Sequence, residues 1–565
     1  MFFLFVLFLL FCAARLFFIQ IFRSNYLAAI AKKQHNLFVE LEPRRGTIYD
    51  SNFKPLAVNV QMDSLFASPN EIPDKDRETA IRKLSSILNL NISHLREKLN
   101  RKKYFVWVAR KITPEQSTEI KKLNIRGLDF IKESKRCYPN GYLASHVLGF
   151  AGLDNNGLEG LELYYDSYLK GEAGWALFLR DARQNKLDLW EKMVLPKNGY
   201  DLVLTIDEVI QFIAERELDK AYRLYHAKGA SIVVIDPHTG AVLAWANRPT
   251  LDLNEYGSAD KDVRRNRLIT DMFEPGSVFK IVTASAALEE NKVNEGVKIF
   301  CENGAYKISS HILHDHKPHG WLTFREVIEQ SSNIGTSKVA QMLGNELLYK
   351  YIRLFGFGSK LGIDLPGEVS GIARPPRYWS KISIATIPMG QEVGVTTLQL
   401  VNEISIIANG GQLMKPYIVK EIRDKYGETI KQFSPTMINK VISVDTAERI
   451  KKILVGVIEE GTGKLAQVMG FSAAGKTGTA QKLEPNGTYS HNKFIASFIG
   501  FAPAEDPLIA VAVTVDEPHP YYFGGVVAAP VFKGVANDVI RYLRTKQLPK
   551  EVLIANEIKP INKTP

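Results

Sequence analysis

The first 14 residues, Met1 to Ala14, carry no charge, Arg15 interrupts the run, and Leu16 to Phe22 is again nearly apolar. A membrane-spanning helix needs about 20 apolar residues, so the two runs together suffice and the first alone does not. Arg15 would lie near one end of such a helix, where a long side chain can reach the interface. Beyond it the pattern becomes mixed. Lys75 to Leu99 and Thr113 to Leu123 space their apolar positions as amphipathic helices. Gly199 to Asp207 alternates as a strand does, and Val209 to Tyr225 reads as a helix. Ser231–Ile235 and Ala241–Trp245 are apolar strands joined by Asp236-Pro-His-Thr-Gly240, where proline presets φ and glycine tolerates positive φ. A mostly helical middle follows. Strands return at Ser472–Gln481, Phe494–Phe501 and Leu508–Val515, and a last helix covers Val526–Arg544. Five strands with helices before, between and after them predict an α+β domain, an antiparallel sheet covered by helices.

These patterns divide the chain into an anchor at 1–22, an elongated non-catalytic module at 23–197, a second domain at 198–548, and a polar, proline-containing tail at 549–565. At 565 residues the chain is too long for one compact core, and 45% hydrophobic with 24% charged residues is an ordinary globular composition. No basic stretch precedes the apolar run and no small-x-small pattern follows it, which favours an uncleaved anchor over a signal peptide. Bulky Phe11 before Cys12 argues against lipid attachment there. The net charge of +11 is dispersed and no nucleic-acid motif accompanies it, so nucleic acid is not an expected partner. The cysteines, Cys12, Cys137 and Cys301, form no CxxC pair; a Cys137–Cys301 disulfide suits an exported domain but is not required.

Three short motifs carry the chemistry: Ser277-Val-Phe-Lys280, Ser331-Ser-Asn333 and Lys476-Thr-Gly-Thr479. In the first, Pro275 favours a helix start, and residues three apart share a helix face. The Ser277 hydroxyl then lies where helix N–H groups favour developing negative charge. A serine needs a base to become a nucleophile, and Lys280 can serve only as a neutral amine, so burial or a neighbouring cation must lower its pKa. In the second, a Ser331 hydroxyl can relay a proton and the Asn333 amide can both donate to and accept from a substrate amide; taken alone the motif reads as a helix cap. In the third, Gly478 permits close backbone approach on a strand edge. Lys476 and Thr477 offer a cation and a hydroxyl to a carboxylate, and the Thr479 N–H can pair with that of Ser277 as an oxyanion hole. Each motif alone has a bland reading, as a capping serine, a helix N-cap or an exposed turn. Together and in this order they specify serine acyl transfer.

His311, His314, His316 and His319 crowd around Asp315 and suggest a metal site, but Pro318 and Gly320 make the stretch read as a solvent-facing loop. Cys301 has no base tied to it by any motif, so a structural role is expected.

The chain resembles a class B penicillin-binding protein, in particular the division-specific peptidoglycan D,D-transpeptidases of the FtsI type and their sporulation relatives. The resemblance runs over nearly the whole length. It rests on Arg45-Gly-Thr-Ile-Tyr-Asp50, Arg265-Asn-Arg267 through Lys280, Cys301-Glu-Asn-Gly304, Ser331-Ser-Asn-Ile-Gly335, Thr397-Leu-Gln399, Ala408-Asn-Gly-Gly411, Ala474 to Gln481, Tyr522-Phe-Gly-Gly525 and Ala528-Ala-Pro530-Val-Phe532. Departures fall at Tyr49 to Phe53, at Phe279 and at Gly390 to Gly394, and bear on a pedestal turn and a substrate loop. The resemblance implies a penicillin-binding transpeptidase domain on a pedestal of the dimerisation type. No glycosyltransferase-like segment precedes that pedestal in this sequence, as the class B type leads one to expect. It implies cross-linking of stem peptides, with Ser277, Lys280, Ser331, Asn333 and Lys476 catalytic, Thr477, Gly478 and Thr479 binding substrate, and Ser277 with Thr479 forming the oxyanion hole. It implies no cofactor and no metal, β-lactams as inhibitors, and a single-pass protein of the bacterial inner (cytoplasmic) membrane facing outward. A SEDS-type glycosyltransferase and other division proteins would be its partners. The same fold also serves elongation transpeptidases, D,D-carboxypeptidases, β-lactamases and silent β-lactam sensors.

Overall fold

The computed structural model describes residues 1–27, 36–101, 103, 105–180, 186–309, 311–484 and 486–547; the tail expected at 549–565 lies outside them. Phe2–Phe22 forms one helix of 21 residues, none of them buried, and it is long and apolar enough to cross a membrane. The chain packs into two compact units. The first comprises 1–46, 59–136 and 167–200; the second comprises 47–58, 137–166 and 201–565.

In the first unit, helices Asp74–Leu88, Ile92–Leu99 and Pro114–Lys122 accompany strand Val106–Ile112. Ile81, Leu84, Leu95, Leu99, Val108, Ile112 and Ile120 share their core. The 75–99 stretch is two helices because Asn89 takes a left-handed φ of 52°, and Asn91 caps the second by accepting from the Ser93 N–H. Thr113 and Gln116 close a capping box with Pro114 at the first helical position. A separate antiparallel sheet is built from Asn36–Leu41, Gly174–Arg180 and Lys186–Val194.

The second unit is organised by α1 (Glu208–Leu224), β1 (Gly229–Ile235), β2 (Val242–Arg248), α2 (Lys280–Glu289), α3 (Asn333–Leu343), α4 (Thr397–Ala408), α5 (Val444–Glu459), β3 (Ala474–Leu483), β4 (Tyr489–Ala502), β5 (Ile509–Asp516) and α6 (Ala529–Gln547). The five strands pair antiparallel in the order β2-β1-β5-β4-β3. Ile232, Val234, Val511, Val513 and Phe498 pack with Ile210, Ala214 and Leu218 of α1 and Phe532, Val535 and Val539 of α6. Helix α4 covers the opposite face, and every one of its residues is buried. With both faces covered, β1 is buried at all seven positions, which is why it reads as a continuous apolar run. This is the helix-covered antiparallel sheet that the sequence pattern predicts. The final helix starts a few residues later than expected, because Gly524–Val527 forms its own short turn before Ala529.

The expected loop around the histidines is partly a hairpin: His311–His314 pairs with Ala305–Ile308. All three cysteines are unpaired, so the disulfide suggested between Cys137 and Cys301 is not formed. Cys301 is buried, with its Sγ 3.4 Å from Ser332 Oγ.

Candidate active site

Pro275 leads into a tight helical turn, Gly276–Phe279, that runs directly into α2. Gly276 has a φ of +62°, and a Cβ there would come within 2.8 Å of the Thr479 carbonyl oxygen. Gly478 answers from the strand: a Cβ would stand 2.9 Å from the Pro275 carbonyl and collide with Ser497 Oγ. Glycines at these two places let the Ser277 turn lie flat against edge strand β3. Half-buried Ser277 is thereby set on the turn facing the Thr479 backbone, and Lys280 one turn later is fully buried.

Lys280 Nζ donates to Ser331 O at 2.6 Å, Ser331 Oγ at 3.1 Å and Asn333 Oδ1 at 2.8 Å. Lys476 Nζ, also fully buried, reaches the same Ser331 Oγ at 2.9 Å. One hydroxyl thus bridges two amines carried by segments remote in sequence. None of these bonds goes to the Ser277 hydroxyl, which is joined to the cluster through its helical turn with Lys280. Ser331 takes a φ of +60°, uncommon for a non-glycine residue. The cap reading of the Ser-Ser-Asn motif is met by its middle residue. Ser332 is the helix cap, its Oγ accepting from the Gly335 N–H at 2.9 Å, while Ser331 and Asn333 face the lysines.

Burial pushes the Lys280 amine well below its ordinary range, the Lys476 charge adds to the effect, and Asp315 opposes it. Burial alone brings Lys476 down to about 7. Two ammonium groups on one hydroxyl repel, so the arrangement favours one neutral amine, to which Ser331 can donate its proton.

Lys476, Thr477, Gly478 and Thr479 follow one another along β3, paired with Ile499, Phe498, Ser497 and Ala496 of β4. Because β3 ends the sheet, its outer backbone groups have no strand partner among the described residues, and an extended peptide can add there. Thr477 is held by the Thr462 hydroxyl at 2.8 Å, and Thr479 Oγ1 accepts from the Gly524 N–H at 3.1 Å. Thr462 and Asp315 were not singled out by sequence reasoning as parts of the site; neither belongs to a spaced motif, and only folding brings them to it. Among the described residues no group of three or more His, Cys, Asp or Glu is placed to hold a metal ion.

The family models that match are the penicillin binding protein transpeptidase domain over residues 230–537 and the penicillin-binding protein dimerisation domain over residues 40–204. The chain is 40% identical over 547 residues to stage V sporulation protein D of Bacillus subtilis, covering 95% of this chain and 84% of that one. It is 33% identical over 511 residues to the peptidoglycan D,D-transpeptidase FtsI of Escherichia coli, covering 89% and 84%. Among solved structures, penicillin binding protein 3 of Mycobacterium tuberculosis in complex with aztreonam matches with a TM-score of 0.70 at 28% identity, over 90% of this chain and 98% of that one.

Proposed function

The chain belongs to the class B penicillin-binding proteins, the peptidoglycan D,D-transpeptidases, and on that premise we propose that Ser277 is its nucleophile and septal cross-linking its task. Ser277 Oγ attacks the D-Ala-D-Ala carbonyl of a donor stem peptide while Lys280 takes its proton. The N–H groups of Ser277 and Thr479 stabilise the oxyanion, at about 3 kcal/mol per donor. The C–N bond breaks, and the departing D-Ala amine receives a proton through Ser331 and Lys476. Asn333 holds the donor amide, and Lys476, Thr477 and Gly478 receive its terminal carboxylate and extended backbone. An amine from a neighbouring stem then attacks the ester, forming the cross-link and returning Ser277 to its hydroxyl form. A β-lactam opens the same way, but its amine stays tethered and holds the ester closed to the acceptor. The observation that carries this reading is the Ser331 hydroxyl shared by the Lys280 and Lys476 amines.

The apolar helix Phe2–Phe22 supports a single-pass protein of the cytoplasmic membrane with its second unit outside. There a SEDS-type glycosyltransferase and other division proteins would be its partners. A second reading, a transpeptidase of sporulation rather than vegetative division, is favoured by the 40% identity to stage V sporulation protein D. Mass spectrometry after penicillin treatment tests the chemistry. A slow-decaying adduct on Ser277, absent from Ser277→Ala, is expected; rapid turnover would make the protein a lactamase. Imaging a tagged copy distinguishes septum, lateral wall and forespore.

A further inference from the structure

The histidine-rich hairpin, left without a role by the mechanism, ends in the middle of the candidate site. Asp315 Oδ1 accepts from the N–H groups of Asn333 at 2.5 Å and Ile334 at 3.0 Å, and Asp315 Oδ2 accepts from Ser332 Oγ at 2.6 Å. The neighbouring His314 carbonyl accepts from Asn333 Nδ2 at 2.9 Å. Asn333 is therefore gripped at its backbone by one residue and at its amide by the next. With one Nδ2 hydrogen held by His314, the amide is turned so that Oδ1 faces Lys280, at 2.8 Å, and its second N–H stays available to a substrate. Ser332 is fixed in the same grip, and Ser331 is its covalent neighbour.

We propose that the His314-Asp315 segment is a positioning clamp for the Ser-Ser-Asn motif, setting the Asn333 amide and the Ser331 hydroxyl against the Lys280 amine. Asp315 itself touches no reacting atom. Its carboxylate satisfies the first N–H groups of α3, and its charge acts on Lys280 against that of Lys476. The exposed histidines flanking it belong to the hairpin that delivers the clamp.

The inference rests on Ser277 being the nucleophile, and the test separates the two. Acylation of the full chain by a fluorescent penicillin is measured against pH for the parent, Asp315→Asn and Asp315→Ala, beside thermal melting curves. Asn keeps the shape and one acceptor, so it should acylate roughly tenfold more slowly and Ala roughly a hundredfold, as loss of reacting-group alignment does. Asp315 raises the Lys280 pKa, so removing its charge should move the acid limb of the profile to lower pH in both variants. Acylation of Asp315→Asn at the parent rate overturns the clamp while leaving Ser277 as nucleophile. A loss equal at every pH, in step with a falling melting temperature, makes Asp315 merely structural and also overturns it. A parent that takes no penicillin on Ser277 brings down both readings.

Discussion

Two lysine side chains share one hydroxyl in this site, and both are withdrawn completely from water. Burying a cation costs stability, and the proposed mechanism is what the fold would gain in return. Lys476 shows the sign. Burial lowers its folded pKa to about 7 from the ordinary lysine value of 10.5, so below pH 7 both folded and unfolded chains carry the charge and the parent bears the whole cost of burial. As pH rises from about 7 toward 10.5 the unfolded chain binds more protons, and the parent gains stability. Lys476→Met should therefore be more stable than the parent at acidic pH, by on the order of a few kcal/mol, and melt correspondingly higher, with the advantage shrinking as pH rises toward 10.5. Its penicillin acylation should fall by at least about a hundredfold. An acid-side melting temperature below the parent's would refute the cost assigned to the buried amine. Thr462→Val, which removes the hydroxyl bound to Thr477, should weaken binding of the substrate carboxylate and raise KM more than it lowers kcat; steady-state kinetics with a D-Ala-D-Ala peptide checks this. The three motifs were legible because each is a local string with its own spacing. Thr462 and Asp315 were not, because a positioning residue needs only to arrive in space, and Asp315 was masked by histidines that suggest a metal.

At the scale of elements, α4 is buried at every position and carries one carboxylate among them, Glu403. Neither of its carboxylate oxygens has a hydrogen-bond partner among the described residues, and burial raises its pKa well above 4.5. Below its unfolded pKa both states are protonated and nothing is lost. Above it the unfolded chain ionises first, so the folded state is disfavoured increasingly as pH rises. Glu403→Leu should leave acylation unchanged and raise the melting temperature near pH 8 by several degrees, but by much less near pH 4; equal gains at both pH values would show that the carboxyl does not stay neutral. Gly478→Ala addresses the contact of β3 with the Ser277 turn. A methyl group there meets the Pro275 carbonyl and Ser497 Oγ, so acylation should fall by about tenfold or more, checked with the same fluorescent penicillin. The sheet strands were legible where both faces are covered, since an apolar run then needs no alternation. Strand β4 begins at Tyr489 rather than at the expected Phe494 because its first residues are polar and only partly buried. The break at Asn89 was hidden because asparagine fits a helix pattern as readily as a left-handed stop.

For the molecule as a whole, the catalytic sheet joins strands from 229–248 to strands from 474–516, and the second unit also recruits two short stretches from far upstream. Ile48–Tyr49 runs parallel to Asp201–Leu204, with the Thr47 N–H donating to Asp201 Oδ1 at 2.6 Å. Phe150 stacks on Tyr256 with ring centroids 4.2 Å apart, and the Ala144 N–H donates to Glu215 at 2.8 Å. Ile48, Leu56, Val147, Leu148 and Phe150 are all buried. These upstream pieces escape a linear reading, because a composition shift marks where a segment changes character, whereas core membership depends on which distant surface it covers. A chain of residues 24–547, lacking the anchor, keeps both pieces and should be water-soluble and acylate at the parent rate. A fragment of residues 198–548 loses them, uncovering an apolar surface and one side of strand Asp201–Leu204. It should melt lower by about 10 °C or aggregate, although it contains all three motifs. Identical melting curves for the two would mean that the upstream stretches decorate the catalytic unit instead of completing its core.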